Sequence, residues 1–383
     1  MVPSSQLDYS PLKVVLEGKI FEEQSLGGIS RIYREILPRM CQIDEQILFS
    51  IITSQQLLQS LPKNPQITNY HSNFPLHRLL RPQMIFWSLQ DYLRAKLEIA
   101  SIPLDKNTIW HATYFQVPDW WVGPKVTAVY DLIHEKFPNF FNKNYDNILR
   151  KRKKRAILAA DKVICISDSV RADVIEIYGL RQTQVISIPL ACGNNFHVMS
   201  NEEIANFHVD RPFILYVGMR QHYKNFETLL SAYSSWPRRN EIDLLVVGNP
   251  WSEEEQKEIA SAGLESNIIC RPGTTDEELC ALYNQALAFV YPSLSEGFGI
   301  PLLEAMACGC QIVASRIPTF IEIAQDVPYF FDPLNKDELI VALESACFSE
   351  KTRNRRDSIL ANYSWDRTAR ETLKMYKELV PCV

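Results

Sequence analysis

Short apolar runs alternate with longer stretches of helical periodicity along most of the chain, a pattern typical of α/β domains. The run at 213–218, for example, is apolar at nearly every position, which favours a strand buried on both faces of a parallel sheet. We therefore predict an α/β fold with two parallel-sheet domains that face a cleft and are divided near residue 195. The predicted strands are residues 12–17, 46–53, 108–114, 125–131, 162–167, 213–218, 243–248, 267–270, 286–291 and 312–314.

The stretch 290–314 carries the clearest local signals and is predicted to form strand, loop, helix and strand. Pro292 and Ser293 end the first apolar run. Pro301 suits the first position of a helix, because its fixed φ is helical and its missing N–H is not needed there. Gly309 is placed to end that helix in the left-handed conformation.

This geometry indicates an anion site with carboxylates beside it. A glycine loop that opens into a helix presents unpaired N–H groups at the positive end of the helix dipole. Glu296 lies in the loop and Glu304 about one turn inside the helix. Two carboxylates beside a phosphate site are better suited to hydroxyl groups, and a ligand with hydroxyls on both sides of a phosphate is a nucleotide sugar.

Composition fits an enzyme of two ordinary domains. The chain has 383 residues, of which 46% are apolar and 22% charged. We expect no membrane span, since no apolar run approaches ~20 residues. We also expect no signal peptide, since residues 1–15 contain no basic region followed by an apolar one. The nine cysteines include no C-x2-C pair, so reduced thiols in the cytoplasm are the simple expectation.

The consecutive basic residues Arg150–Arg155 are a candidate membrane contact. Such a run is usually a solvated helix face, but it can also bind anionic lipid head groups at the inner face of the cytoplasmic membrane. No nucleic-acid reading motif accompanies it, so we expect no nucleic-acid partner.

The segment SEGFGIPLLEAMACG resembles the E-x7-E signature of the retaining, GT-B-fold glycosyltransferases of family 4, the group 1 type common in bacterial exopolysaccharide synthesis. Glu296 and Glu304 fall on its two glutamates. The resemblance implies two Rossmann-like domains. Residues 1–195 would form the acceptor side and 196–364 the nucleotide-sugar domain, with a C-terminal helix at 365–383 packing back on the first.

The resemblance also implies how a donor is held. Glu296 would bind the sugar hydroxyls and Glu304 the ribose. The candidate catalytic residues so implied are Glu296, Asp131, His134, Arg220 and Lys224. A Gly-Gly pair would close over the phosphates, basic residues would bind the diphosphate, and a loop after a strand would hold the base. The bland alternatives are a plain turn and solvated cations. The further donor-binding residues so implied are Gly27, Gly28, Arg220, Lys224, Arg271, Pro272, Gly297, Phe298, Gly299, Ile300 and Leu302.

One position departs from the family. Where its members carry His-Asp at the end of a strand, this chain has Tyr130-Asp131. Asp131 matches, and the histidine that reaches the transferred sugar is absent. His134 or His111 would take over its contact, unless both are structural.

The implied reaction transfers a hexose, with retained configuration, to a hydroxyl of a glycan or lipid-linked saccharide acceptor in polysaccharide biosynthesis. UDP-glucose is slightly favoured as donor, followed by GDP-mannose. No metal and no cofactor are expected, and the chain contains no D-x-D. The alternatives are a nucleotide-sugar epimerase or phosphorylase of the same fold and an inactive nucleotide-sugar-binding protein.

Overall fold

Two fully parallel sheets organise the protein in a computed structural model, which describes residues 11–23, 28–53, 56–58, 60–71, 106–119, 121–141, 143–207, 209–220, 222–349 and 354–380. The first sheet has seven strands in the order β3-β2-β1-β4-β5-β6-β7. These are β1 (Lys13–Glu17), β2 (Leu48–Thr53), β3 (Ile67–His71), β4 (Ile109–Ala112), β5 (Lys125–Val129), β6 (Lys162–Cys165) and β7 (Val185–Ser187).

The second sheet has six strands in the order β10-β9-β8-β11-β12-β13. The predicted boundary near residue 195 lies between the two sheets. The strands are β8 (Phe213–Val217), β9 (Asp243–Val247), β10 (Ile268–Arg271), β11 (Ala288–Tyr291), β12 (Ile312–Ser315) and β13 (Tyr329–Phe331).

Helices connect the strands and cover both faces of the sheets. They are α1 (Lys19–Glu23), α2 (Gly28–Ile43), α3 (Ile133–Lys136), α4 (Lys143–Ala159), α5 (Asp168–Tyr178), α6 (Asn201–Ile204), α7 (Phe226–Ser235), α8 (Glu253–Ser261), α9 (Asp276–Gln285), α10 (Ile300–Ala307), α11 (Pro318–Ala324), α12 (Lys336–Phe348), α13 (Asn354–Leu360) and α14 (Trp365–Leu379). Within the described ranges, no helix combines the length and the apolar character needed to cross a bilayer.

The strand orders fix where a ligand can bind. Each sheet reverses its winding once, between β1 and β4 in the first and between β8 and β11 in the second. Loops that leave neighbouring strands in opposite directions open a crevice at the carboxyl ends of those strands. Glu296 follows β11 and Lys224 follows β8, so both lie at the crevice of the second sheet.

The strands β3 and β13 were not predicted from the sequence. β3 pairs with β2 at the edge of the first sheet, within residues 54–107, where the sequence indicates only mixed helix and loop. Its residues 67–70 are exposed or only partly buried, because an edge strand has a neighbour on one side alone. The apolar pattern that reveals a buried strand is therefore missing there.

The last described helix, α14, returns to the first sheet. It packs on α2, where Asp366 accepts a hydrogen bond from Arg39 at 3.0 Å and Lys377 pairs with Asp44 at 2.7 Å. The hydroxyl of Thr368 donates to the carbonyl of Pro189. The helix thus belongs structurally to the domain that begins the chain.

Candidate active site

The loop from β11 to α10 forms the floor of the site. Gly299 has φ +103° and precedes the helix, a conformation that side chains rarely adopt. Pro301 is the second residue of the helix, one position later than predicted, and Gly309 follows its end with φ +71°. The side chains of Phe298 and Leu302 are buried in the apolar core, so these residues can meet a ligand only through their main chain.

Glu296 and Lys224, both predicted to act in catalysis, contact each other directly. Glu296 Oε1 accepts hydrogen bonds from Lys224 Nζ at 2.6 Å and from Ser293 Oγ at 2.7 Å. The ammonium also lies over the rings of Tyr223 and Tyr291. Lys224 Nζ therefore lies beside the loop that opens into α10. The ammonium and the N–H groups at the start of α10 are hydrogen-bond donors that could bind a diphosphate.

Arg220 is engaged elsewhere. Its guanidinium forks onto the carboxylate of Glu255 at 2.6 and 2.9 Å and donates to the carbonyls of Asn249 and Pro250. It also stacks over Trp251 at 4.4 Å. The structure therefore brings Lys224 to Glu296 and ties Arg220 to a different carboxylate, so the predicted diphosphate contact of Arg220 stays a prediction.

Glu304 is buried beneath a cation from the other domain. Its Oε2 accepts from the hydroxyl of Tyr283 at 3.3 Å, and its Oε1 lies 3.9 Å from Arg31 Nη1. Burial raises the pKa of Glu304 to about 7, and Arg31 opposes that rise. Arg31 also pairs with Asp276 at 3.2 Å, just after the loop predicted to hold the base.

Arg31 was missed by sequence reasoning. Its signal was its place, three residues after Gly28 and on the first turn of a helix that opens from a glycine pair. Gly28 is the first residue of α2, whereas Gly27 lies outside the described residues. Arg271 ends β10, and its carbonyl accepts from the hydroxyl of Thr274 in the loop that includes Pro272.

The two domains meet directly at the loop between β11 and α10. A Cβ atom on Gly297 would lie 1.6 Å from the carbonyl oxygen of Tyr130, so only glycine allows this approach. Ser167 Oγ donates to the carbonyl of Gly297 at 2.7 Å. Thr319 Oγ1 donates to the carbonyl of Glu296 at 2.8 Å. These contacts fix the orientation of the peptide groups beside the Glu296 carboxylate.

A carboxylate from the second domain caps a helix of the first. Both oxygens of Glu322 accept N–H groups at the start of α5, from Asp168 at 2.7 Å and from Ser169 at 2.8 Å. A carboxylate at the positive end of a helix is well placed electrostatically. Thr319 Oγ1 also contacts Ser169 Oγ at 3.1 Å. We call the contacts of Ser167 with Gly297, of Thr319 with Ser169 and of Glu322 with the start of α5 the interdomain clasp.

Tyr130 does not take the place of the missing histidine. Its buried hydroxyl hydrogen-bonds to Tyr33 at 2.7 Å and to the carbonyl of Thr113 at 3.2 Å, inside the first domain. Tyr33 also contacts His111 Nε2 at 3.1 Å, and Tyr376 of α14 contacts His111 Nδ1. Burial lowers the pKa of His111 to about 3, so this histidine is a neutral member of a buried hydrogen-bond network.

The structure places His134 and Asp131 on the cleft side of the first sheet. His134 stacks on Phe141 with ring centroids 4.2 Å apart. The carboxylate of Asp131 accepts the N–H of Ile133 and lies 3.8 Å from Lys153 Nζ. Of the two candidate histidines, His134 is the one beside residues that face the second domain.

The basic run is not one exposed face. Lys153 is 2% exposed and donates to Glu135 at 3.0 Å and to the carbonyl of Asp131 at 3.1 Å. Arg155 pairs with Asp119. Lys151 and Lys154 are exposed. The predicted membrane contact can therefore involve only part of Arg150–Arg155, because Lys153 is used internally.

Three features lie together in a cleft between two Rossmann-like domains. They are the glycine loop that opens into α10, the Lys224–Glu296 pair and the buried carboxyl group of Glu304. Residues 200–359 match the family described as "Glycosyl transferases group 1". The O-antigen chain mannosyltransferase B of Escherichia coli is 27% identical over 92% of this chain and 97% of that protein. Together these matches support a group 1 glycosyltransferase.

Other comparisons agree with the fold of the glycosyltransferase. The sucrose-phosphate synthase of Thermosynechococcus elongatus superposes with a TM-score of 0.75 at 18% identity, covering 97% of this chain and all of that chain. This likeness confirms the predicted GT-B fold. The serotype-specific mannosyltransferase WbdA of Escherichia coli is 32% identical over 58% of the glycosyltransferase but only 29% of its own length.

Proposed function

We propose that this glycosyltransferase moves mannose from GDP-mannose to a hydroxyl of a saccharide acceptor in the assembly of an O-antigen-type polysaccharide. The observation that carries the proposal is the Lys224–Glu296 pair at the glycine loop of α10. Mannose as the sugar is supported by two relatives whose names describe them as mannosyltransferases, one of them similar over nearly its full length. UDP-glucose, favoured slightly on sequence resemblance, is the second candidate.

The proposed roles follow from where charge develops. As the bond to the diphosphate breaks, negative charge grows on the leaving phosphate, and preorganised donors stabilise it. Lys224 Nζ and the first-turn N–H groups of α10 would supply those donors. Glu296, held by Ser293 and Lys224, would bind sugar hydroxyls beside the reacting carbon. The acceptor hydroxyl would attack from the first-domain side, near Asp131 and His134.

Retention and metal independence are part of the proposal. Lys224 and the helix N-terminus provide the positive potential that a divalent cation supplies in other transferases. Glu296 is not placed as an obvious nucleophile, so the proposed reaction has the acceptor attack on the face that the diphosphate leaves. An epimerase, a phosphorylase or an inactive binding protein gains no support from the relatives.

A donor panel tests the proposal. The purified protein is incubated with GDP-mannose or UDP-glucose and a mannose-terminated oligosaccharide, and the released nucleoside diphosphate and the elongated product are quantified. We expect turnover with GDP-mannose that persists in EDTA, and a product whose anomeric NMR signals show the configuration of the donor. Efficient use of UDP-glucose alone would reverse the donor assignment, and binding without turnover of any donor would favour an inactive protein.

A further inference from the structure

Aromatic rings from both domains meet at the mouth of the cleft. Phe140 of the first domain stacks on His222 of the second, with centroids 5.6 Å apart and an interplanar angle of 30°. Phe141 lies 6.2 Å from the ring of Tyr223. Both second-domain rings belong to the short turn His222–Lys224 that follows β8. We call Phe140, Phe141, His222 and Tyr223 the aromatic shelf.

The outer rings of the shelf are open to solvent. Phe140 is 38% exposed, and the side chain of His222 is 65% exposed. A phenyl ring at the surface normally leaves apolar area in water, which makes an exposed ring beside a cleft a candidate contact for a ligand. Since the rings lie at the cleft between the domains, a ligand that contacts them would lie beside the entrance to that cleft.

The inner end of the shelf leads to the reacting groups. Tyr223 directly precedes Lys224, whose ammonium donates a hydrogen bond to Glu296. The carbonyl of Tyr223 accepts the N–H of Leu294. Burial, then the nearby carboxylates of Glu296 and Asp131, raise the pKa of Tyr223 above its ordinary value. The phenol therefore lies within electrostatic range of a carboxylate from each domain, and one of them, Glu296, is predicted to hold the donor sugar.

This combination suits one class of ligand. A pyranose ring has a face of C–H groups and a rim of hydroxyls. Its apolar face can pack on aromatic rings while its hydroxyls reach carboxylates and a phenol, as in sites that mix aromatic walls with a few placed polar groups. A hydrocarbon lipid chain would use the rings but would form no hydrogen bond with Asp131 or with the Tyr223 hydroxyl.

We propose that the aromatic shelf is the acceptor subsite, on which one pyranose ring of the acceptor glycan stacks against Phe140 and His222 with its hydroxyls toward Asp131 and Tyr223. The proposal rests on the proposed transferase function. The shelf takes rings from both domains, so it is complete only when the cleft is closed. Acceptor binding and closure therefore favour each other.

Substitution of the outer rings tests the shelf. Phe140→Ala and His222→Ala should each raise the acceptor KM by roughly three- to tenfold, the change expected for the loss of one ring contact. The donor KM and the rate of donor hydrolysis without acceptor should not change. Phe140→Trp should restore the acceptor KM. Phe348→Ala is the matched control, because Phe348 is 59% exposed on α12 and remote from the cleft.

Two results would overturn the shelf. If the donor KM rises together with the acceptor KM, the rings merely hold the domains closed. If the variants lose activity only with lipid-linked acceptors and keep it with lipid-free oligosaccharides, the surface binds the lipid instead.

A binding experiment separates this proposal from the proposed function. Saturation-transfer NMR with a free mannose oligosaccharide, irradiating the aromatic protons, needs no turnover. We expect transfer to the C–H protons of one sugar ring in the wild type and a reduced signal in Phe140→Ala. A normal signal in a protein that uses no donor would sink the transferase while keeping the shelf, and no signal from an active enzyme would do the reverse.

Discussion

At the scale of the residue, Glu304 is a carboxyl whose charge is disfavoured by its surroundings. It is 5% exposed, and burial raises its pKa to about 7 against the opposing effect of Arg31. The protonated form is favoured by folding. This contribution to stability is fully present below the ordinary carboxyl pKa and is lost as the pH rises to about 7. A ribose hydroxyl, in contrast, donates best to the ionised form.

We therefore expect the affinity for the nucleoside diphosphate to rise between about pH 6 and 8, as Glu304 ionises. Glu304→Gln should weaken binding and remove this part of the pH dependence, with a smaller change in kcat. Calorimetric titration of both proteins across the range measures it, and their difference cancels the titration of the ligand itself. An unchanged pH dependence in the variant would exclude the ribose role.

Arg31 supplies the control for that experiment. Arg31→Ala removes the cation that opposes the rise in pKa, so the same affinity profile should shift to higher pH. Arg31→Lys keeps a cation and should restore most of the profile. A profile that does not move in Arg31→Ala would mean that a different group titrates.

Glu296 should fail differently from Glu304. In the proposed reaction it lies beside the bond that breaks, where positive character develops on the sugar, so Glu296→Gln should lower kcat on the order of 10²-fold. Affinity for the free nucleoside diphosphate should stay nearly unchanged, because that ligand has no sugar to contact. Steady-state kinetics beside calorimetry decide it. Loss of nucleotide affinity in this variant, with affinity kept in Glu304→Gln, would exchange the two roles.

At the scale of the element, the interdomain clasp joins α5 of the first domain to α11 of the second. Glu322→Ala leaves two N–H groups at the start of α5 without their carboxylate, so we expect a loss of about 1–2 kcal/mol in stability. The donor KM should rise too, because the clasp holds the domains around residues 296–297. Thermal melting and kinetics test both effects, with Glu322→Gln as the variant that keeps one acceptor oxygen. Melting that is unchanged in Glu322→Ala would show that the cap does not contribute.

Elements were predictable where local chemistry defined them. Proline and glycine marked both ends of α10, and the E-x7-E spacing identified Glu296 and Glu304 before any contact was visible. The clasp was not predictable, since Ser167 meets Gly297 across 130 residues of sequence and no local pattern signals such a partner. The salt bridge between Glu255 and Arg220 was not predictable either, because it depends on the packing of α8. The exposed edge strand β3 had no apolar pattern to read.

At the scale of the whole molecule, the basic run predicts salt-sensitive binding to anionic vesicles through its exposed members. Lys151→Gln with Lys154→Gln should reduce sedimentation with such vesicles while leaving the melting temperature unchanged. Lys153→Gln should instead destabilise the protein by about 3–5 kcal/mol, because the Glu135 carboxylate, 7% exposed, loses its cation and keeps, among the described residues, only the hydrogen bond from Tyr178. Equal sedimentation of the double variant and the wild type would reduce the run to a solvated helix face.

The return of α14 to the first sheet has a consequence for co-translational folding. Domains usually fold in the order in which they are synthesised. Here Tyr376 completes the buried network around His111, 265 residues upstream. The first domain must wait with an uncovered apolar flank while the whole second domain emerges. We expect the second domain to fold first during translation. We also expect chaperones to bind the nascent first domain.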